Sequence, residues 1–336
     1  MRFIGSKISL LKEIESILPT YVKGQTFCDI FSGTACVARY FKQKYKIISN
    51  DLLYFSYVLQ KAYLCNNERP TFMGLELNPL DFLNNNMGNL SSAFFYENYS
   101  PNKHNERMFF TNENALKIDF IRQTIEEWYI QNNINQNEYF YLLACLIEAV
   151  PFVSNTTGTY GAYLKIWDKR ALKTLTLNPI ELTTTNTSKH FVFNRDAKEL
   201  IREISGDILY LDPPYNSRQY GANYHILETI AKYDNPQIKG KVGIREYREL
   251  KSKFCNSKKA LSELEYIVKE ANFKHIVLSY NDEGIMSMLD IENLLRQYAK
   301  FESYKMKKIP YKRYKRTSKE AKSHINELLF YIEKEN

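Results

Sequence analysis

The run Asp207–Tyr215, D-I-L-Y-L-D-P-P-Y, limits what this 336-residue chain can fold into more than any other stretch. Ile208 to Leu211 is a short segment with no polar face, as expected of a strand buried on both sides in the middle of a parallel sheet. In such sheets ligands bind beyond the carboxyl ends of the strands, where Asp212 stands. Pro213 and Pro214 each fix their own φ and push the preceding residue away from helical geometry, so the loop is stiff. Neither proline has an N–H, which leaves the Asp212 carboxylate and the Pro213 carbonyl as outward-pointing acceptors beside the flat face of Tyr215. Two fixed acceptors and a ring suit a planar guest carrying an NH2 group, such as a nucleobase. The competing reading is that Asp212 caps a following helix and the prolines only end a strand.

Other segments supply the sheet's remaining parts. After the leader M-R-F-I-G-S-K comes a helical pattern with Leu10, Leu11, Ile14, Ile17 and Leu18 on one face. Thr26 to Phe31 reads as the first strand, Ser32 to Thr34 as a tight turn, and Ala35 onward as a helix. That arrangement brings backbone N–H groups toward a polar ligand end. Lys46 to Asp51 is a second apolar strand ending in an acid, which in doubly wound sheets commonly receives a ribose diol or caps the next helix. Phe191 to Phe193 is the third strand, with Asp196 just after it. A fifth strand lies around residues 272–284. Leu328 to Ile332 forms a terminal strand, paired in a hairpin across the segment 305–319. Lys305 to Lys319 holds eight cations and no acid, interleaved with Tyr311 and Tyr314. Such a run is usually a solvated face, but the tyrosines and the missing acids favour phosphate contacts.

Residues 61–190 differ in character. An Asn-rich stretch precedes helical patterns at Ile118–Ile130 and Glu138–Val150, then P-F-V-S-N-T-T-G-T-Y-G-A-Y-L-K and a Thr-rich run. Asn155, Gly158, Tyr160, Gly161 and Lys165 suit a loop that approaches a duplex, or an ordinary turn. His225 opens a helix and reads as a packing residue rather than a general base.

Composition is permissive. Against 38 Asp and Glu stand 46 Lys and Arg, a net +8 compatible with nucleic acid without requiring it. Five scattered cysteines without Cys-x-x-Cys spacing fit a reducing compartment and speak against zinc or disulfides. No run approaches the roughly 18 apolar residues of a membrane span, and no signal-peptide core is present.

Asp-Pro-Pro-Tyr after a buried strand resembles motif IV of S-adenosylmethionine-dependent amino-methyltransferases. Its continuation, Asn216 to Ala231, is similar to the adenine methyltransferases that accompany type IIS restriction enzymes, within the D12 (Dam-like, α-group) class. Phe3 and Lys7 match the aromatic and lysine of motif X, where Lys would meet the cofactor's carboxylate. Phe31-Ser32-Gly33-Thr34-Ala35 matches motif I, except that Ala35 replaces the second glycine and has less freedom in φ. The resemblance implies a doubly wound, mostly parallel seven-stranded α/β sheet of the Rossmann-like class I methyltransferase type. It implies a catalytic domain of residues 1–60 and 191–336, and a helical target-recognition insert of residues 61–190.

By the same resemblance the cofactor is S-adenosylmethionine, contacted by Phe3, Lys7, Asp29, Phe31, Gly33, Asp51, Asp196 and Asp212. Asp212, Pro213, Pro214 and Tyr215 are the catalytic residues. Asn155, Gly158, Tyr160, Lys165, Arg218, Lys312, Arg313, Lys315 and Arg316 face DNA, and no metal is required. The expected reaction is methylation of the N6 amine of a flipped-out adenine in double-stranded DNA within a restriction-modification system. The setting is the bacterial cytoplasm near the nucleoid, with a cognate restriction endonuclease as a partner and a monomer or weak dimer as the working form. Alternatives are another planar amine (cytosine N4, RNA adenine, protein glutamine) or an inactive DNA-binding module of the same fold. In this class Ser at the Asp212 position accompanies cytosine and Asn accompanies glutamine.

Overall fold

The computed structural model describes residues 5, 7–20, 22, 25–88, 90, 93–185, 189–312 and 324–335, without the side chains of Tyr311, Lys312, His324 and Ile325. By packing the chain divides into two compact units. One holds residues 7–52, 186–219 and 251–336, the other residues 53–185 and 220–250.

The first unit contains the expected sheet. Its strands are β1 (Thr26–Asp29), β2 (Lys46–Asn50), β3 (Phe191–Phe193), β4 (Ser205–Leu211), β5 (Asn272–Asn281), β6 (Lys305–Lys312) and β7 (His324–Glu333). They lie in the order 3-2-1-4-5-7-6. Neighbours among β1 to β5 are parallel, whereas β7 runs antiparallel to both β5 and β6. Ile208 to Leu211 of β4 are all buried, as a segment without a polar face must be. Tyr210 stacks near Phe27 on one face, where Phe27 also stacks on Phe41 of the helix Cys36–Phe41. Leu209 and Leu211 join the core of the other face with Leu264 and Ile267 of helix Ala260–Glu270 and Ile291 of helix Met288–Tyr298. Each such side chain contributes about 1.5–3 kcal/mol by leaving water. Asp207 ties β4 to β1, since its Oδ2 accepts from the amides of Gln25 (2.8 Å) and Thr26 (2.9 Å).

The strand order reverses between β1 and β4, and this is the crevice where open α/β sheets bind ligands. The hairpin β6–β7 has the expected place at the sheet's end. Its connecting residues 313–323 lie outside the described part of the chain.

The second unit is helical. Asn112–Ile130 and Gln136–Val153 are its longest helices, each begun by a side-chain cap: Thr111 on the amide of Asn114, and Asn135 in a reciprocal capping box with Glu138. Helices Tyr54–Cys65 and His225–Lys232 belong to this unit as well, although the sequence alone assigns residues up to 60 and beyond 191 to the catalytic part. The reason is burial. Phe55, Val58 and Leu59 share one core with Leu142, Leu146, Ile226 and Leu227. The buried Glu228 carboxylate also accepts from the amides of Tyr54 (3.2 Å) and Phe55 (3.1 Å), capping a helix 170 residues earlier in the chain. Among the described residues no helix is long and apolar enough to cross a membrane, and no cluster of side chains could hold a metal ion.

Candidate active site

The carboxyl ends of β1, β2 and β4 carry Asp29, Asp51 and Asp212, so three acids converge because parallel strands end on one rim. Beyond β1 the chain makes the expected turn. Gly33 sits at φ 52° and Ala35 at φ 61°, both left-handed. A Cβ in that region costs roughly 1–2 kcal/mol, which is why glycine is the residue that fits position 35 without strain. The turn's amides are largely used within the protein. Ser32 N–H donates to Asn50 O at 2.9 Å, Ala35 N–H to Ser32 O at 2.8 Å, and Gly33 N–H to Asp51 Oδ2 at 2.8 Å. The expectation of unspent amides facing a ligand is therefore met only in part, and what the turn does is fix the Asp51 carboxylate. Asn50 braces the same rim, donating to Ile30 O and Arg195 O and accepting from the Arg195 amide.

Phe31 is half-buried and meets Phe254 edge to face at 5.4 Å between ring centres. Asp29 is buried, and its Oδ1 has no hydrogen-bond partner. Burial is the main cause that pushes its carboxyl up to about 8; the charges of Asp212 and Asp51 add to this and the Ser32 hydroxyl opposes it. Asp196 caps helix Ala197–Leu200, its Oδ1 accepting from the Lys198 amide at 2.8 Å. It is exposed, and its role within the chain is this cap.

Pro213 is buried, while Pro214 and Tyr215 are half-buried. The Tyr215 carbonyl accepts from the Ile285 amide at 3.0 Å, tying the loop after β4 to the loop after β5. Asp212 does not point freely outward. Its Oδ1 lies 3.2 Å from Lys7 Nζ, and the same ammonium lies 3.2 and 3.3 Å from the two oxygens of Glu327 on β7. Lys7 thus sits between two protein carboxylates. Burial alone would lower its pKa, but Asp212 and Glu327 outweigh that and raise it. Asp212 is pushed up to about 6 by burial, with Lys7 pulling down and Glu327 pushing up.

Glu327 was not foreseen. The signal was present in I-N-E-L-L-F-Y-I: alternation puts Glu327 on the same face as Leu329 and Tyr331, both buried, so an acid had to be buried with them.

The residues expected at DNA separate into three groups. Asn155 and Tyr160 are corrected: both are buried. Asn155 donates to Leu164 O and accepts from the Asp168 amide, each at 2.9 Å, and the Tyr160 hydroxyl pairs with Ser154 Oγ at 3.0 Å. These side chains shape the loop and are not available to a duplex. Gly158 (φ 128°) is half-buried, and Lys165 is exposed. Arg218 is also exposed, its amide held by Asn216 Oδ1 at 2.9 Å. Phe3, Arg313, Lys315 and Arg316 lie outside the described residues, as does the side chain of Lys312. His225 is the packing residue expected: fully buried, its Nε2 3.0 Å from Tyr160 O, and pushed down to about 4 by burial.

The rim's acids, glycine turn and Pro-Pro-Tyr loop all fall within a span that matches a known family. The family model for "D12 class N6 adenine-specific DNA methyltransferase" matches residues 3–294. The chain is 47% identical over its whole length to Type II methyltransferase M.FokI of Planomicrobium okeanokoites, covering 53% of that protein. It is 44% identical to Modification methylase StsI of Streptococcus sanguinis, over 99% of this chain and 52% of that one. Type II methyltransferase M.NlaIII of Neisseria lactamica is 40% identical, over 96% of this chain and 95% of its own length. The chain thus spans about half the length of the first two relatives and nearly all of the third. With a match this long, and with the seven-stranded sheet and the Asp-Pro-Pro-Tyr loop in place, the chain belongs to the D12 class of N6 adenine-specific DNA methyltransferases.

Proposed function

We propose that this chain transfers a methyl group from S-adenosylmethionine to the N6 amine of adenine in duplex DNA, as the modification activity of a restriction-modification system. The observation that carries this reading is the stiff Asp212–Tyr215 loop, set at the sheet's switch point on the rim that also holds Asp29 and Asp51. The residues fit the cofactor: Asp51 is fixed as a diol acceptor, the Phe31 ring is held by Phe254, and the unpartnered Asp29 Oδ1 offers a buried acceptor. When bound, the cofactor supplies an electrophilic methyl on a positively charged sulfur.

The chain's own residues supply position and electrostatics. Chemistry on a base edge requires the adenine to leave the stack, and Tyr215 receives its face. The Asp212 carboxylate and the Pro213 carbonyl accept the two amine hydrogens, which turns the nitrogen lone pair toward the methyl. Transfer of the methyl from sulfur to nitrogen would leave the nitrogen with one proton to lose, and Asp212, which already accepts one amine hydrogen, would take it. We assign target recognition to the helical unit, with its Lys165, and Arg218 of the sheet unit, as phosphate contacts weakened by salt. A DNA substrate places the protein in the cytoplasm near the nucleoid, where a cognate endonuclease would act on the same sequence, and a monomer or weak dimer suffices for the reaction.

Incubation with mixed duplex DNA and labelled S-adenosylmethionine, followed by mapping of modified positions, tests this. N6-methyladenine at one short sequence is the expected result; label on cytosine or on protein would refute it.

A further inference from the structure

Within that reading, one buried group has no assigned task. We propose that Glu327 is a positioning residue of the methyl-transfer site: through Lys7 it sets the orientation and acceptor strength of Asp212. Lys7 and Glu327 are 320 residues apart in sequence, and the Lys7 ammonium lies 3.2–3.3 Å from the oxygens of Asp212 and Glu327. Lys7 and Glu327 side chains are 3% and 8% exposed, and Asp212 is 19% exposed, so the pair is hidden and the acid it supports is the one left accessible.

The geometry explains why two acids share one lysine. A lysine stem is flexible, and a single contact with Asp212 would leave the ammonium free to swing. Both oxygens of Glu327 lie against Nζ and hold it in place. The charges point the same way. Lys7 and Asp212 alone would be a neutral pair, and a neutralised carboxylate is a poor acceptor for an amine. With Glu327 the cluster carries one net negative charge, which restores acceptor strength without losing the fixed geometry. Burying a charge costs desolvation energy that ion pairing need not return, so a third buried charge here needs a reason beyond stability. The other titratable groups whose fields reach Asp212 are Asp29 from β1, Tyr210 from β4 and Cys36 from the helix after β1. None of these carries a full positive charge, so Lys7 and Glu327 are the pair that tunes it.

The test uses Glu327→Gln, Glu327→Asp and Lys7→Met in the full chain, read two ways. Carbon-13 titration of the Asp212 carboxyl in the cofactor-free protein reports its pKa without any turnover, and the pH profile of kcat reports it at work. Glu327→Gln removes a negative charge and releases Lys7 to Asp212, so the midpoint moves down and kcat falls by roughly tenfold or more. Lys7→Met removes the positive charge, so the midpoint moves up by about a unit or more. Glu327→Asp restores part of kcat, and KM for the cofactor changes less than about twofold in all three. Midpoints that coincide with the wild type's would overturn the proposal, as would a Lys7→Met variant whose only defect is a raised cofactor KM. If Glu327→Gln fails to fold, Glu327→Asp decides: a shortened carboxylate that leaves both the Asp212 midpoint and kcat at wild-type values overturns the proposal. A wild-type protein that shows the titration shifts yet methylates no DNA would refute the proposed function and leave the Glu327 assignment standing.

Discussion

Both units bury charged side chains, but they use them differently. In the helical unit the buried carboxylates are spent mainly on backbone amides. Glu228 caps helix Tyr54–Cys65, Asp119 accepts from the amides of Phe95 and Tyr96 at 2.9 Å each, and Glu138 accepts from the Phe72 amide at 2.8 Å. Arg122 donates to Ile230 O at 2.9 Å and pairs with Glu126. In the sheet unit the buried charges gather at one end of the strands and are spent on each other, as in Lys7, Asp212 and Glu327, or left short of partners, as in Asp29. Charge matched to backbone builds a scaffold. Charge matched to charge, on the rim of a parallel sheet, raises or lowers acidity and marks where chemistry is done.

Four substitutions or conditions would break or sharpen this contrast. Asp212→Ala should abolish transfer, lowering kcat by about a thousandfold or more while cofactor binding is partly retained. Single-turnover kinetics with calorimetric cofactor titration checks both, and normal turnover would end the assignment. In the other unit, Glu228→Ala should cost about 3–5 kcal/mol of stability, because two amides and Lys232 lose a buried partner. Denaturant unfolding measures this, and the acid limb of kcat should stay where it is. An acid limb that moved in Glu228→Ala as far as in Lys7→Met would erase the distinction between the units.

The third concerns pH. Asp212 must be ionised to accept the amine, and its folded pKa is raised from 3.8 to about 6, so activity should fall as pH drops through about 6. Asp29 is raised to about 8, so the folded chain holds that proton more tightly than the unfolded one. Its contribution is full below about pH 4 and is lost as pH rises through 8. Asp29→Asn should therefore melt higher than the wild type at pH 8 and lose that advantage near pH 5. The smallest effect belongs to Ala35→Gly. Relief of the positive φ is offset by the lost methyl burial and the greater freedom of the unfolded chain, so stability should change by less than about 1 kcal/mol. A larger loss would mean that the Ala35 side chain is part of the packing and not a tolerated departure.

Much of the sheet could be read from the chain because its signals are local. A four-residue apolar run ending in Asp-Pro-Pro-Tyr names a strand, a rim and a loop without reference to anything distant. The acids at 51 and 212 follow from strand ends in the same way, whereas Asp29 enters only through the family resemblance. What stayed hidden depends on contacts across the chain. Glu228 looks like a surface helix residue until helix Tyr54–Cys65 lies over it, and that contact, with the burial of Ile226 and Leu227, draws residues 220–250 into the helical unit. Asn155 and Tyr160 have the composition of a contact loop, yet their polar atoms are consumed by Leu164, Asp168 and Ser154. The partners of Lys7 within the chain, from β7 and from the loop after β4, are distant in sequence and leave no local signal.

The position of β7 has a consequence for synthesis. It enters the sheet between β5 and β6 after both are made, and it brings Glu327 with it. A nascent chain that has emerged from the ribosome only as far as Tyr215 already carries Lys7, the glycine turn and the Asp-Pro-Pro-Tyr loop, yet lacks the strand that locks the lysine. Completion of the reactive centre thus coincides with closure of the sheet, and a half-translated chain presents DNA with a centre that is not yet assembled.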